Sequence, residues 1–186
     1  LRFDCYNYLI VYEYCPFQQL SSSQIKDKYQ LLIFFFDLLK TIEKLHKLNI
    51  YHLDLKPENI LYQQGKFLLI DFGTAQYIPL SSQTNSHLGL QKVAQITQKT
   101  EAFSSYRYDN VEGDVLAERY EVYSLGCILF YLCTGQYMMQ SLTKEFVEFG
   151  QICLKYGRDV AALIAAMTIK NCLFRYDLQF ALGHPS

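Results

Sequence analysis

Two short strings constrain this chain more than anything else in it. The first is His52-Leu53-Asp54-Leu55-Lys56-Pro57-Glu58-Asn59, and the second, opening twelve residues after Asn59, is Asp71-Phe72-Gly73. Between them Ile60-Leu61-Tyr62, a polar turn with Gly65, and Phe67–Ile70 read as two short strands of a hairpin. Such a hairpin brings Asn59 and Asp71 to one place. The assembled set is then a carboxylate (Asp54), a lysine (Lys56), an amide (Asn59) and a second carboxylate (Asp71). Asn59 and Asp71 offer the hard oxygens that Mg²⁺ prefers. Asp54 can accept a hydroxyl proton, and Lys56 can neutralise charge on a phosphoryl group in transit. Phosphoryl transfer asks a protein mainly for positioning, metal and charge, and this set supplies all three.

The rest of the chain supplies a core for one domain. It has 186 residues, 51% of them apolar, with 16 Tyr and 13 Phe. A net charge of −1 gives no broad field for nucleic acid or a membrane surface. The six cysteines contain no Cys-x-x-Cys pair and the four histidines do not cluster with them. That argues against a zinc site and for reduced, mostly buried thiols in a cytoplasmic protein. The longest apolar runs, Leu31–Phe36 and Leu125–Cys133, fall far short of the roughly 20 residues that span a bilayer. No signal peptide opens the chain, and the missing initiator Met is what a fragment, or a processed chain, is expected to show.

Periodicity outlines the elements. Tyr8–Tyr12 is rich in β-formers and reads as a strand that Glu13-Tyr14-Cys15-Pro16 breaks. Ser21–Ser23 is a polar loop able to cap a helix. Leu31, Phe35, Leu38, Ile42 and Leu45 then share one helical face, widened by Leu32 and Leu39. That helix ends near His46–Asn49, with His46 as a structural residue. Residues 74–99 are rich in Ser, Thr and Gln without clear periodicity, and read as a loop. From Glu121 the chain is apolar almost all round, the mark of a buried helix, with Gly135 as its cap. Leu142–Lys155, Asp159–Lys170 and Leu178–Leu182 read as further helices.

The two strings resemble the catalytic loop and metal-binding motif of the eukaryotic protein kinase family, Ser/Thr type. His52, Asp54, Lys56, Pro57 and Asn59 match that loop at fixed offsets, and Asp71-Phe72-Gly73 follows in order at the family's separation. The resemblance covers nearly the whole chain. It implies an α+β, protein-kinase-like fold, a partial kinase domain over residues 1–186. Residues 1–12 would be the last small-lobe strands, 13–19 the hinge and 20–186 the helical large lobe. It also implies ATP and Mg²⁺ as cofactors and a protein substrate, with no nucleic acid or membrane partner. Asp54 would orient the attacking hydroxyl, Lys56 would mark the Ser/Thr class, and Thr100, in Thr100-Glu101-Ala102-Phe103, would hydrogen-bond both. Asn59 and Asp71 would hold the metal. Backbone groups of Glu13 and Cys15 would meet the adenine, with Leu61 as its floor, Tyr12 guarding the back pocket and Gln19 near the ribose. Glu58 would reach the ribose or a basic substrate side chain, or remain a solvated carboxylate.

Departures from the family pattern are equally specific. Leu53 stands where many members place an arginine that gathers a phosphate on the activation segment, and leucine cannot pair with phosphate. Glu121 and Tyr123 replace the Asp and Trp of the central helix motif Asp-Val-Trp-Ser-Leu-Gly. Ser105-Tyr106-Arg107 replaces Ala-Pro-Glu, whose acid pairs with the arginine matched here by Arg175. Leaving a buried charge unpaired costs about 3–5 kcal/mol, so Arg175 is expected to find Glu112, Asp114 or Glu118, or a wetter site. No glycine-rich loop, strand lysine or helix glutamate is present, so this chain alone is expected to bind ATP weakly. Three readings follow: a Ser/Thr protein kinase, a pseudokinase or scaffold, and a small-molecule kinase of the aminoglycoside or choline type. Lys56, Thr100, the 121–135 helix and Arg175 weigh against the third.

Overall fold

Two helices of opposite character organise the structure, a computed structural model that describes residues 2–4, 7–9, 14–79, 83–86, 89–95, 101–105, 114–138 and 142–183. Helix α1, Lys28–Lys47, is amphipathic and buries Leu31, Phe34, Phe35, Leu38, Leu39 and Ile42. Its first turn is capped by Asp27, whose carboxylate accepts from the Gln30 N–H at 2.8 Å. Helix α2, Ala117–Thr134, is buried nearly all round and stops at Gly135, where φ is 72°. A left-handed residue there ends the helix without a Cβ clash. Ser21 caps a different element, the short 3-10 turn Ser22–Gln24, through a reciprocal bond with Gln24.

Three more helices complete the core. They are α3, Leu142–Tyr156, α4, Arg158–Met167, and α5, Leu178–Gly183. Ile152, Tyr156, Val160, Ile164, Met167 and Leu178 join the side chains of α1 and α2 in one apolar cluster. An ion pair between Lys28 and Asp159 at 2.8 Å ties the start of α1 to α4. None of the described helices is long and apolar enough to cross a membrane.

Short strands position the loops between the helices. β1, Arg2–Asp4, pairs antiparallel with β2, Asn7–Leu9. β3, Gln18–Gln19, lies beside β5, Ile60–Gln63, which pairs in turn with β6, Lys66–Leu69. The β5–β6 turn has positive φ at Gln64 and Gly65, as the expected hairpin requires. β4, Ile50–Tyr51, pairs with β7, Gln76–Tyr77. The strand expected at Tyr8–Tyr12 is described only as far as Leu9; residues 10–13 lie outside the described residues.

The expected loop over 74–99 is a correction. β7 opens it, and β8, Gln83–Ser86, forms a hairpin with β9, Gly89–Gln95, which also pairs with β10, Asp114–Leu116. Strand pairing here is a backbone matter, and β8 is polar on both faces, so no alternation of apolar residues announces it. A second, smaller apolar cluster joins this region to the helices: Tyr51, Leu53, Ile78, Ala117 and Tyr120.

Gly126 of α2 lies close against the end of α4. A Cβ there would lie 2.7 Å from Thr168 Cγ2 and 2.9 Å from Met167 Cβ, distances that force the end of α4 to move. Gly126→Ala is therefore expected to destabilise the fold by about 1–3 kcal/mol in urea denaturation. Gly150→Ala, whose Cβ would meet nothing within 4 Å in the middle of α3, is the control. It is expected to be neutral or to stabilise by up to about 1 kcal/mol.

Candidate active site

The loop between β4 and β5 carries the first sequence string, and its backbone is bent by force. Leu53 has φ 63°, a left-handed conformation that costs a non-glycine residue roughly 1–2 kcal/mol. It is held there from two sides. The Leu53 N–H donates to Glu121 Oε1 of α2 at 2.8 Å, and its side chain, 2% exposed, packs in the smaller apolar cluster. Pro57 then starts a 3-10 turn, Pro57–Asn59, that ends the loop and leads into β5.

Asp54 is the focus of this loop. Its Oδ2 takes an ion pair from Lys56 Nζ at 2.7 Å and a hydrogen bond from Asn59 Nδ2 at 3.1 Å. Asn59 Nδ2 also donates to the Asp54 carbonyl at 2.8 Å. With the amide nitrogen so committed, the Asn59 oxygen is the group left to act as a ligand. The Asn59 carbonyl accepts from the Ile70 N–H at 2.9 Å, which sets Asn59 beside the residue preceding Asp71.

Asp71 is exposed and adopts φ 60°, ψ 69°, with Oδ1 accepting from the Gly73 N–H at 3.3 Å. His52 stitches this turn to the loop. The Asp54 N–H donates to His52 Nδ1 at 3.4 Å, which leaves Nε2–H to donate to the Ile70 carbonyl at 3.1 Å. The Phe72 ring lies 4.8 Å from the His52 ring, and Thr74 Oγ1 donates to the His52 carbonyl at 3.0 Å. His52 is fully buried, so these contacts fix the two strings as one unit. No cluster of three or more His, Cys, Asp or Glu suited to hold a metal occurs among the described residues. Mg²⁺ that bridges to substrate phosphates needs only one or two carboxylates, and the oxygens of Asn59 and Asp71 fit that need.

The remaining expected site residues divide. Gln19 and Leu61 are brought side by side as cross-strand partners of β3 and β5. Cys15 and Phe17 line a cavity of about 1000 Å³ with Lys44, Leu69 and Phe72, so the 14–17 segment and the Asp71 turn open onto one space. Glu58 is not a free, solvated carboxylate: Oε1 accepts from the Tyr137 hydroxyl at 2.7 Å. Tyr12, Glu13 and Thr100 lie outside the described residues.

Comparison with known proteins settles the family. The sequence model described as "Protein kinase domain" matches residues 4–156. The chain belongs to the protein kinase family. The dual specificity protein kinase Ttk of Danio rerio is 30% identical over 164 residues, covering 80% of this chain and 16% of that protein. The serine/threonine-protein kinase SSK22 of Saccharomyces cerevisiae is 27% identical over 182 residues, covering 88% of this chain and 14% of that protein. The meiosis-specific serine/threonine-protein kinase mek1 of Schizosaccharomyces pombe is 27% identical over 163 residues, covering 83% and 36%. The chain therefore spans well under half the length of each of these relatives.

Two departures of this kinase domain from the family pattern have structural answers. Glu121, longer than the usual Asp, keeps the bond to the loop backbone and spends its extra reach on a second partner. Its Oε2 meets His46 Nε2, at the end of α1, at 2.5 Å. His46 is structural, as expected, but nothing local in the sequence announced a partner 75 residues away. Arg175, fully buried, is met by the carbonyls of Ile169 (2.8 Å), Lys170 (2.9 Å) and Arg119 (2.8 Å), by Ser105 Oγ (3.3 Å) and by the face of Tyr123. Ser105 of the altered segment is thus part of its shell. Glu118 is engaged elsewhere, accepting from the Leu178 N–H at 2.9 Å, while Glu112 and the side chain of Asp114 lie outside the described residues.

The bridge from Glu121 yields a direct test. Glu121→Ala leaves the buried Leu53 N–H without its acceptor, which is expected to cost about 1–3 kcal/mol and to speed hydrogen exchange at Leu53. Glu121→Gln retains an oxygen for that N–H and should lose less. Denaturant titration with exchange followed at Leu53 checks both.

Proposed function

We propose that this kinase domain is the large lobe of a Ser/Thr protein kinase, with residues 13–19 as its hinge, and that it moves the ATP γ-phosphate to a protein hydroxyl. The observation that carries the reading is the grip on Asp54: Lys56 and Asn59 both hold its Oδ2, on a loop locked to the Asp71 turn through His52. A carboxylate fixed in this way can accept a hydrogen bond from an incoming hydroxyl and aim its oxygen. The Lys56 ammonium, beside that carboxylate, adds positive charge where phosphoryl oxygens would pass. Asn59 and Asp71 would hold Mg²⁺, which when bound supplies the charge that neutralises the phosphates.

In this reading the nucleotide would rest on Cys15, Gln19 and Leu61; Glu13 and Thr100, to which the resemblance gives the adenine and Asp54 as partners, lie outside the described residues. The Ser/Thr class follows from Lys56 and agrees with the names of two relatives. Reduced thiols in a cytoplasmic setting are part of the same reading.

Asp54→Asn is expected to lower phosphate incorporation into a Ser/Thr protein substrate by about 10²–10⁴-fold with Mg-ATP, while the unfolding curve is unchanged. Incorporation that survives the substitution would remove Asp54 from the mechanism. Incorporation into amino-alcohols instead of protein would point to small-molecule transfer, and none into either would leave the scaffold reading.

Regulation should also differ from that of members with arginine before the aspartate. Leu53 offers no guanidinium and is sunk among Tyr51, Ile78, Ala117 and Tyr120. Acidic replacements of the Ser and Thr residues across 74–100 are expected to leave transfer without a many-fold rise. A large activation in the same assay would refute this.

A further inference from the structure

The cavity beside Phe72 is larger than the nucleotide reading uses. Of the described residues given to nucleotide, metal or phosphoryl transfer, only Cys15 lines it. It runs past the outer edge of β6 to the outer face of α1, where Asp37, Lys40, Thr41 and Lys44 form a wall. Its floor is apolar, made by Leu45, Phe67, Leu69 and Phe72. Tyr14, Leu68 and Phe72, all lining it, are 86%, 45% and 44% exposed, a group of large apolar side chains open to water. Around them stand three exposed lysines, Lys40, Lys44 and Lys66, against one acid, Asp37. None of the three forms an ion pair with a described residue, and Lys40 lies 4.4 Å from the centre of the Phe36 ring. Single surface lysines are ordinary, but three about one concave apolar surface give it a positive rim. β6 adds backbone to this face. It ends its sheet, in the order β3-β5-β6, so alternate N–H and C=O groups along Lys66–Leu69 have no strand beside them among the described residues.

We propose that this face of β6 and α1 is a docking seat for an extended acidic segment of a partner polypeptide. The segment continues the sheet by pairing its backbone with β6. Side chains alternate along a strand, so acidic and apolar residues in alternation suit the seat. The apolar ones cover Leu68 and Phe72, and the carboxylates meet Lys40, Lys44 and Lys66. Burial of the apolar surface supplies affinity, while the lysines select the partner and hasten its arrival. The edge strand decides the class of occupant. A nucleic acid brings the same negative charge but no row of N–H and C=O groups to pair with β6. A small anion leaves the apolar floor uncovered.

The test follows, by fluorescence anisotropy on the whole chain, a labelled short peptide in which glutamate alternates with leucine. A second peptide carries glutamine for each glutamate, a third carries N-methyl groups on its backbone, and labelled oligouridine is the nucleic-acid probe. The glutamate peptide is expected to bind, and the glutamine and N-methyl peptides to bind about ten-fold or more weakly. Lys40→Glu with Lys44→Glu should weaken the glutamate peptide by about ten-fold or more, and a peptide with lysine for glutamate should bind that variant better than it binds the original chain. Both lysines are exposed, so an unchanged unfolding curve is expected for the variant. Lys26→Glu, on the far side of Pro16 from this cavity, should leave the affinity within about two-fold. No binding of the glutamate peptide, equal binding of the glutamine or N-methyl peptide, or full affinity in the double variant would each overturn the proposal. Tighter binding of oligouridine than of the glutamate peptide would give the lysines to nucleic acid and overturn it as well. Binding is read without nucleotide, so its failure counts against this seat and not against phosphoryl transfer at Asp54.

Discussion

The Glu121 carboxylate is the contact on which the site depends. It is 1% exposed and bridges three separate stretches of chain: the end of α1 at His46, the catalytic loop at Leu53, and α2, which carries it. Without it only the packing of its own side chain would hold Leu53 in a left-handed conformation. With it, the chain reverses there and sends Asp54 out of the core toward Lys56 and Asn59. A buried acid is tolerable only when its oxygens are answered, and both are. The extra methylene relative to the family's usual Asp is thus absorbed by a histidine that sits where α1 runs out. The pair links local backbone strain to the packing of the two longest helices.

Much of this was readable from residues alone, for reasons that differ by element. α1 announced itself because its apolar residues recur with the helical period, and α2 because it has no polar face at all. The loop that carries Asp54 was recognisable because the family's motif places particular residue types at fixed offsets. The β8–β9 pairing was not, since backbone hydrogen bonds between polar strands leave no mark on composition. The same limit hid the shell of Arg175. Carbonyl groups belong to every residue, so the three that meet this guanidinium leave no trace in sequence. Ser105 Oγ and the face of Tyr123 were not foreseen either.

Long-range side-chain pairs form a third category. His46 with Glu121 and Glu58 with Tyr137 join residues 75 and 79 positions apart. Each residue has an ordinary explanation in isolation: a helix-end histidine, a loop glutamate, a tyrosine after a helix cap. Only the packing of α1 against α2, and the turn beyond Gly135, makes them partners. Contacts of this kind are set by the fold, while Asp54, Lys56, Asn59 and Asp71 stand in motifs that the sequence alone displays.

The β8–β9–β10 sheet has a further consequence for how the segment can change over time. On its β8 side the pairing residues are Gln, Thr, Asn and Ser, so one register is worth little more than the next. On its β10 side Leu116 faces Val93, and the very next residue, Ala117, is fully buried against Tyr51 and Leu53. Insertions and deletions near β8 can therefore be taken up by slippage, whereas a change of one residue near β10 would be felt in the catalytic loop. Length is free to drift at one end of this segment and fixed at the other.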